Sequence, residues 1–206
     1  LVRAQSLYLW GPWFESKRAD TKLFKLFPKP HFGCIIKNKM KATVTYPINA
    51  DSILLGRKMF KIGAGMLNGF GGKPEEDDIS LWHTASRELY EETGYGIAVH
   101  PLDLKVYARI NFYLFNSKEP EFEVVFFLAP KFAGEAKSTK EMTDPSWYKI
   151  ADLETLYDDM LPADKEILSR MMRGEKFIGH VRFSEDQKSC TELEFNSVND
   201  ESQILI

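Results

Sequence analysis

Three glutamates, Glu88, Glu91 and Glu92, lie close together in one short segment of the chain. On a helix, these carboxylates fall within an arc of roughly 100°, and Arg87 lies at its edge. Carboxylates crowded in this way repel one another, so the arrangement favours a cation shared among them. A cluster of oxygen ligands suits a hard divalent ion, Mg²⁺ or alternatively Mn²⁺.

A glycine-rich loop precedes these acidic residues and contains Gly71, Gly72 and Lys73. Glycine lets the backbone approach a ligand closely, and a hard metal ion beside such a loop suits a polyphosphate substrate. Acidic runs on helices are usually solvated surfaces, and Arg87 could simply neutralise Glu91 as a surface ion pair. The double glycine, the lysine and the Thr-Gly-Tyr sequence after the glutamates nevertheless favour a functional site.

The elements around these residues predict an α/β domain. A helix is expected over residues 79–93, with Asp78 as its N-cap and Gly94 at its end, after a loop at 62–72. Further elements are strands at 42–46, 52–57, 106–115, 122–129, 147–150, 176–183 and 191–195, and a second helix at 164–173. Mixed strands with two long helices favour a sheet with helices on its faces.

Length and charge limit the classes of function. A chain of 206 residues holds one domain, or one domain with an arm. Its net charge of -3 gives no global field that would hold DNA or an anionic membrane, so neither partner is expected. Its 2 cysteines favour a reducing compartment, and we expect a cytoplasmic location. The longest apolar stretch, 124–129, is too short to cross a bilayer.

The composition of the chain changes near residue 40. Residues 1–40 combine several prolines and glycines with scattered aromatic residues, and predict an irregular arm with a short strand at 31–36. Residues 41–206 carry the regular pattern of the domain. The arm is open to three roles, as a dimer contact, a lid or an extra strand, and we expect a monomer or a homodimer.

The segment from Gly72 to Tyr95 resembles the Nudix box. That pattern is a glycine, five residues, a glutamate, seven residues, and then Arg-Glu-aliphatic-any-Glu-Glu-any-Gly-aliphatic. Residues 87–95 match its second half, whereas the first half has one residue more than the pattern allows. Asp78 has the offset of the early glutamate and Glu76 is nearby. Since that position is usually structural in the family, we expect the loop to absorb the extra residue and catalysis to survive.

The resemblance extends over residues 41 to about 195 and is to the oxidised-purine nucleoside triphosphatases of the MutT-homologue type. It implies a Nudix α/β/α sandwich with a mixed β-sheet between helices. It also implies Mg²⁺-dependent hydrolysis of a purine nucleoside triphosphate, an oxidised one included, to the monophosphate and pyrophosphate. The segments that carry it are 52–73, Glu141 and Met142 before Trp147, 160–164 and 176–181.

The same resemblance implies roles for the charged residues. The box glutamates hold Mg²⁺ around a triphosphate, helped by the carbonyl of Gly71, and Glu92 also helps to deprotonate the attacking water. Glu141 is a further metal or base contact from a separate loop. Arg87 orients the glutamates by a salt bridge. Two lysines would offset phosphate charge, Lys58 and Lys73.

Residues that would recognise the base match the family only in part. Asn68 and Asp164 match the Asn and the second Asp that read the purine edge. Ala163 replaces the first Asp, and Leu161 replaces a Trp that stacks on the ring, which weakens stacking by about 1–3 kcal/mol. A purine triphosphate is therefore expected, and a preference for oxidised purine is a weaker expectation. Four further residues are open to either a pocket or a core position, Tyr113, Phe115, Phe122 and Met142.

Two other interpretations remain open at this stage. A second enzymatic one keeps the box and changes the substrate to a dinucleoside polyphosphate, a nucleotide sugar, a capped RNA end or an inositol pyrophosphate. A third is a non-catalytic Nudix module that binds nucleotide or protein. The irregular first half of the box motivates the third, and the retained glutamates argue against it, because a binding module has no need of a repulsive cluster.

Overall fold

The computed structural model describes residues 40–205 of the chain. The strand predicted at 31–36 lies outside these residues, so it stays a prediction, as does the division of the chain at residue 40.

The described elements are a mixture of strands and helices, as the sequence pattern predicts. Helices α1, α2 and α3 span Leu81–Glu92, Asp164–Met172 and Ser202–Leu205. Strands β1 to β10 span Met40–Asn49, Ser52–Lys58, Leu67–Asn68, Ile97–Ala98, Lys105–Tyr113, Phe122–Ala129, Ala133–Gly134, Met142–Lys149, Phe177–Phe183 and Cys190–Ser197. Turns of 3-10 helix span Pro101–Asp103 and Ile150–Asp159.

The main sheet has eight strands and is mixed. Seven follow the order β10-β9-β5-β6-β1-β2-β3, and β8 pairs with the other side of β2. β1 runs parallel to β6 and β5 runs parallel to β9, whereas the other pairs are antiparallel. β6 lies inside the sheet because its apolar residues on both faces must be covered. The short strands β4 and β7 form a separate pair.

Helices cover both faces of this sheet. Successive residues of a strand point to opposite faces, and β6 divides accordingly. Phe127 packs in a core cluster with Leu89 of α1, whereas Phe126 packs in a second cluster with Ile167 of α2. The predicted α/β/α arrangement with a mixed sheet is therefore confirmed.

Helix α1 begins two residues later than a cap at Asp78 would place it. Ser80 is the N-cap, and its side chain accepts a hydrogen bond from the backbone N–H of His83. The side chain of Asp78 instead pairs with Arg87 of the helix, so the predicted cap is wrong. The helix end is confirmed, because Gly94 follows it with a φ of +68°, in the region that favours glycine.

Two regions differ from the pattern prediction. The strand predicted at 147–150 is the eight-residue β8, whose polar first half lacks the alternation that would reveal it. The loop predicted at 62–72 contains the two-residue strand β3, which pairs with β2. The final hairpin is confirmed as β9 and β10. None of the helices within residues 40–205 is long and apolar enough to cross a membrane.

Candidate active site

A cavity of about 660 Å³ lies at the sheet face beside α1 and α2. Every residue that the sequence singled out as catalytic, metal-binding or substrate-binding lines it: Lys58, Asn68, Gly71, Lys73, Arg87, Glu88, Glu91, Glu92, Glu141, Leu161 and Asp164. The fold thus brings together residues from segments far apart in the chain. The roles of these residues stay predictions, whereas their positions at one cavity are observed.

The acidic part of the cavity is built by α1. Glu88, Glu91 and Glu92 share one face of the helix, and Glu141 precedes β8 beside them. Glu92 is almost fully buried, and its Oε2 accepts a hydrogen bond from the backbone N–H of Gly71 at 2.6 Å.

Burial raises the pKa of Glu92 to about 7. The Gly71 N–H and the charge of Lys58 lower the pKa, and the charges of Glu88 and Glu141 raise it further. Burial also raises the pKa of Glu88, against the lowering effect of Arg87. Burying carboxylates beside one another has a cost that a bound cation would offset.

Arg87 is a buried cation at the centre of this cluster. Its side chain is 7% exposed, and its Nη1 lies 3.0 Å from Glu88 and 3.1 Å from Glu91. Its Nη2 donates to the carbonyl of Lys73 at 2.9 Å. Burial alone would lower the pKa of Arg87, but Asp78 and the two glutamates raise it. The guanidinium stays charged and fixes two glutamates, as the orienting role requires.

Asp78 holds the other side of this guanidinium. Its side chain is 5% exposed and accepts hydrogen bonds from Arg87 Nε at 3.2 Å and Nη2 at 2.9 Å. It also accepts from the backbone N–H of Glu75 at 3.0 Å. Burial raises the pKa of Asp78, but the bonds and charge of Arg87 and the Glu75 N–H outweigh it, so the pKa is lowered. The loop thus accommodates the extra residue while a carboxylate still reaches the arginine.

The double glycine is required by two close approaches. A Cβ on Gly71 would lie 1.9 Å from the carbonyl oxygen of Thr43. A Cβ on Gly72 would lie 2.5 Å from Oε1 of Glu88. The backbone N–H of Thr43 donates to the carbonyl of Gly72 at 2.8 Å, which joins this loop to β1. A side chain at either position would push the loop away from the sheet or from the glutamates.

The donor set fits a hard divalent cation in its chemistry. The groups in the acidic part of the cavity are carboxylates and backbone groups, and burial disfavours the charged form of Glu88 and Glu92. Within residues 40–205, no three His, Cys, Asp or Glu side chains are arranged to hold a metal ion as the structure stands. Glu88 and Glu91 point to Arg87 instead, so they would have to turn toward an ion.

The other part of the cavity combines apolar walls with two buried polar groups. Oδ1 of Asn68 accepts hydrogen bonds from the N–H of Gly69 at 2.7 Å and the hydroxyl of Tyr46 at 3.5 Å, which directs its NH₂ group elsewhere. Burial raises the pKa of Asp164 to about 7, although the backbone of Leu161 and the charge of Lys58 lower it. Oδ2 of Asp164 is buried without a hydrogen-bond partner among the described residues.

The fold decides which of the residues that the sequence left open between pocket and core reach the cavity. Of the four that the sequence left open, Phe122 lines it, and Met142 is buried in the core. Tyr113 and Phe115 are not among the lining residues. Sequence analysis missed several lining residues, because apolar alternation alone does not distinguish a core from a pocket: Phe60, Phe112, Phe126 and Phe183.

Comparisons with known proteins agree with this geometry. The NUDIX domain model matches residues 37–171. The oxidized purine nucleoside triphosphate hydrolase of Mus musculus is 29% identical over 157 residues, which cover 76% of this chain and 94% of the mouse protein.

Two solved structures share the fold. The MutT protein from Bacillus halodurans superposes with a TM-score of 0.63 at 22% identity, over 76% of this chain and 97% of that chain. A bifunctional NMN adenylyltransferase/ADP ribose pyrophosphatase from Francisella tularensis, complexed with AMP and a manganese ion, gives a TM-score of 0.53 at 19% identity. That match covers 68% of this chain and 43% of the other.

The family match spans well over half of the chain and includes the loop, the helix and the glutamates around which the cavity is built. The chain therefore belongs to the NUDIX family and is a hydrolase of that family.

Proposed function

We propose that this hydrolase converts purine nucleoside triphosphates, oxidised purines included, to the monophosphate and pyrophosphate in the presence of Mg²⁺. The observation that carries the proposal is one cavity with two chemically different parts. Glutamates and Arg87 line one part, and Asn68, Asp164 and apolar side chains line the other. Lys58 lines the same cavity, and its charge lowers the pKa of both Glu92 and Asp164.

The phosphate chain would occupy the acidic part. Nudix hydrolases generally use a divalent metal ion, and we propose Mg²⁺, held by Glu88, Glu91 and Glu92 with the backbone of Gly71. When bound, this ion neutralises phosphate charge and acidifies water. Lys58 and Lys73, which also line the cavity, offset further phosphate charge.

The residues of the chain supply proton transfer and orientation. Glu92, a buried carboxylate at the cavity, accepts the proton of the water that attacks phosphorus. Arg87 holds Glu88 and Glu91 beside the cavity, from where they would turn toward the ion, and Glu141 adds a further carboxylate. The bond broken joins the α- and β-phosphates, which releases pyrophosphate.

The base would occupy the other part of the cavity. The NH₂ group of Asn68 donates to an acceptor on the purine edge. Asp164, whose pKa is about 7, offers either a donor or an acceptor near neutral pH. The similarity to the mouse oxidized purine nucleoside triphosphate hydrolase supports this assignment.

Product analysis tests the proposal. Purified full-length protein is incubated with Mg²⁺ and a panel of purine, oxidised purine and pyrimidine triphosphates, dinucleoside polyphosphates and nucleotide sugars. Pyrophosphate release from purine triphosphates is expected. Orthophosphate release, or cleavage of dinucleotides alone, would indicate that the site acts on another substrate. No turnover across the panel would indicate a non-catalytic binding module.

A further inference from the structure

Four phenylalanines line the cavity from the sheet side, and the paired strands bring them together. Phe112 of β5 lies opposite Phe122 at the start of β6 in the antiparallel register. Phe126 lies four residues further along β6, and Phe183 ends β9. All four side chains line the cavity from the sheet.

Phe112 already contacts two of the other rings. Phe112 and Phe183 are stacked, with ring centres 5.8 Å apart and planes at 14°. The Phe112 and Phe126 rings are tilted, with centres 6.4 Å apart. All three side chains are buried, at 8% exposure or less. They therefore belong to the core, and stacking on a ligand would require breaking contacts that stabilise the fold.

Phe122 differs from the other three. It lines the cavity and packs against the core, but it is only half buried, whereas the other three rings are buried. Part of this side chain is therefore exposed at the cavity, where a ligand can contact it. Leu161, which also lines the cavity, is a branched aliphatic residue and has no flat face to offer. Its side chain lies over Gly63, within 3.4 Å of where a Cβ would be.

Two polar groups that line the same cavity indicate the shape of the ligand. The side chains of Asn68 and Asp164 are buried in its lining, and Oδ2 of Asp164 has no partner among the described residues. A flat ligand with an apolar face and a hydrogen-bonding edge satisfies both the ring and these groups. A nucleobase has this shape, and each base has a π-face on which an aromatic side chain stacks.

We propose that Phe122 is the residue on which the nucleobase of the substrate stacks, and that it supplies the ring contact that Leu161 lacks. This inference rests on the proposed nucleotide substrate. Phe122 is then a binding residue that determines affinity for the base, and the phosphate chain does not depend on it.

The test measures binding without turnover. A purine nucleoside monophosphate is titrated calorimetrically into the wild-type protein, Phe122→Leu and Phe115→Leu. Phe115 is a matched control, since it is 41% exposed and lies outside the cavity. Loss of one stacked ring is expected to weaken binding of the monophosphate by about 5- to 150-fold in Phe122→Leu and not in the control.

Two further measurements separate stacking from general damage. Binding of inorganic tripolyphosphate with Mg²⁺, which has no base, should be unchanged in Phe122→Leu. Adding Leu161→Trp to Phe122→Leu should recover most of the lost nucleotide affinity, because it returns a ring to the cavity. Thermal unfolding checks that each variant is folded.

The outcomes distinguish this inference from the proposed function. Unchanged monophosphate binding in Phe122→Leu, or an equal loss for tripolyphosphate, would overturn the stacking role while nucleotide hydrolysis by the wild type still stands. A wild-type protein that neither binds nor hydrolyses purine nucleotides would overturn both. Selective loss of nucleotide binding with rescue by the tryptophan supports the assignment.

Discussion

Replacing Asp78 by Asn should destabilise the folded domain, because it removes the charge opposite a buried guanidinium. Breaking a buried ion pair by changing one partner costs about 3–5 kcal/mol. Arg87 keeps the carbonyl of Lys73 and the carboxylates of Glu88 and Glu91, and Asn can still accept one hydrogen bond. We therefore expect a loss of roughly 2–3 kcal/mol at pH 7, which lowers Tm by about 5–10 °C in a domain of this size.

The same variant has a pH dependence whose sign follows from the lowered pKa of Asp78. A carboxyl group with a lowered pKa contributes stability above its unfolded pKa of about 4 and loses it as pH falls through the folded value. The difference in unfolding free energy between wild type and Asp78→Asn should therefore have its full size at pH 7 and decrease below about pH 4. Urea unfolding, followed by tryptophan fluorescence across this range, measures it.

Asp77→Asn is the matched control for this experiment. Asp77 is the exposed neighbour of Asp78, and it forms no hydrogen bond or ion pair recorded among the described residues. The unfolding free energy of Asp77→Asn should stay within about 0.5 kcal/mol of that of the wild type. Equal stability of Asp78→Asn and Asp77→Asn at pH 7 would refute the argument that Asp78 anchors Arg87.

Three further predictions concern the glycine loop and the buried acid. Gly71→Ala should cost about 3 kcal/mol or more in unfolding free energy, because its Cβ would meet the Thr43 carbonyl at 1.9 Å. Gly72→Ala should stay folded, because its Cβ meets only the flexible end of Glu88, but turnover should fall about 10- to 100-fold; normal turnover would contradict the site geometry. Because the pKa of Asp164 is raised to about 7, this group destabilises the folded domain increasingly as pH rises from about 4 to 7. The unfolding free energy of Asp164→Asn should therefore rise by up to about 3–4 kcal/mol relative to that of the wild type between pH 4 and pH 8. Urea unfolding of both proteins at the two pH values measures this change. A difference in unfolding free energy that is the same at both pH values would contradict the prediction.

The sequence alone predicted the parts of the fold that depend on local periodicity. The helix that carries Glu88, Glu91 and Glu92 and the apolar strand β6 both follow from regular spacing of residue types. The prediction that these glutamates hold a metal ion followed from their crowding and from the family resemblance. The NUDIX family was identified on the same residues, and the family match confirms it.

Features that depend on tertiary contacts were beyond the sequence. Asp78 and Ser80 are both good N-cap residues, and only the position of Arg87 shows why Asp78 is used elsewhere. Phe115 and Phe122 are similar in a local pattern, and only the strand register shows that Phe122 reaches the cavity. The polar first half of β8 has no apolar alternation, so its pairing with β2 could not be anticipated.

The most direct test of the central claim is the Mg²⁺-dependent release of pyrophosphate from a purine triphosphate by Glu92→Gln. Glu154→Gln is the control, since Glu154 is exposed and lies away from the cavity. We expect turnover to disappear almost completely in Glu92→Gln, with unchanged folding, and to persist in the control. Full activity in a folded Glu92→Gln protein would contradict the claim that this buried carboxylate performs the chemistry.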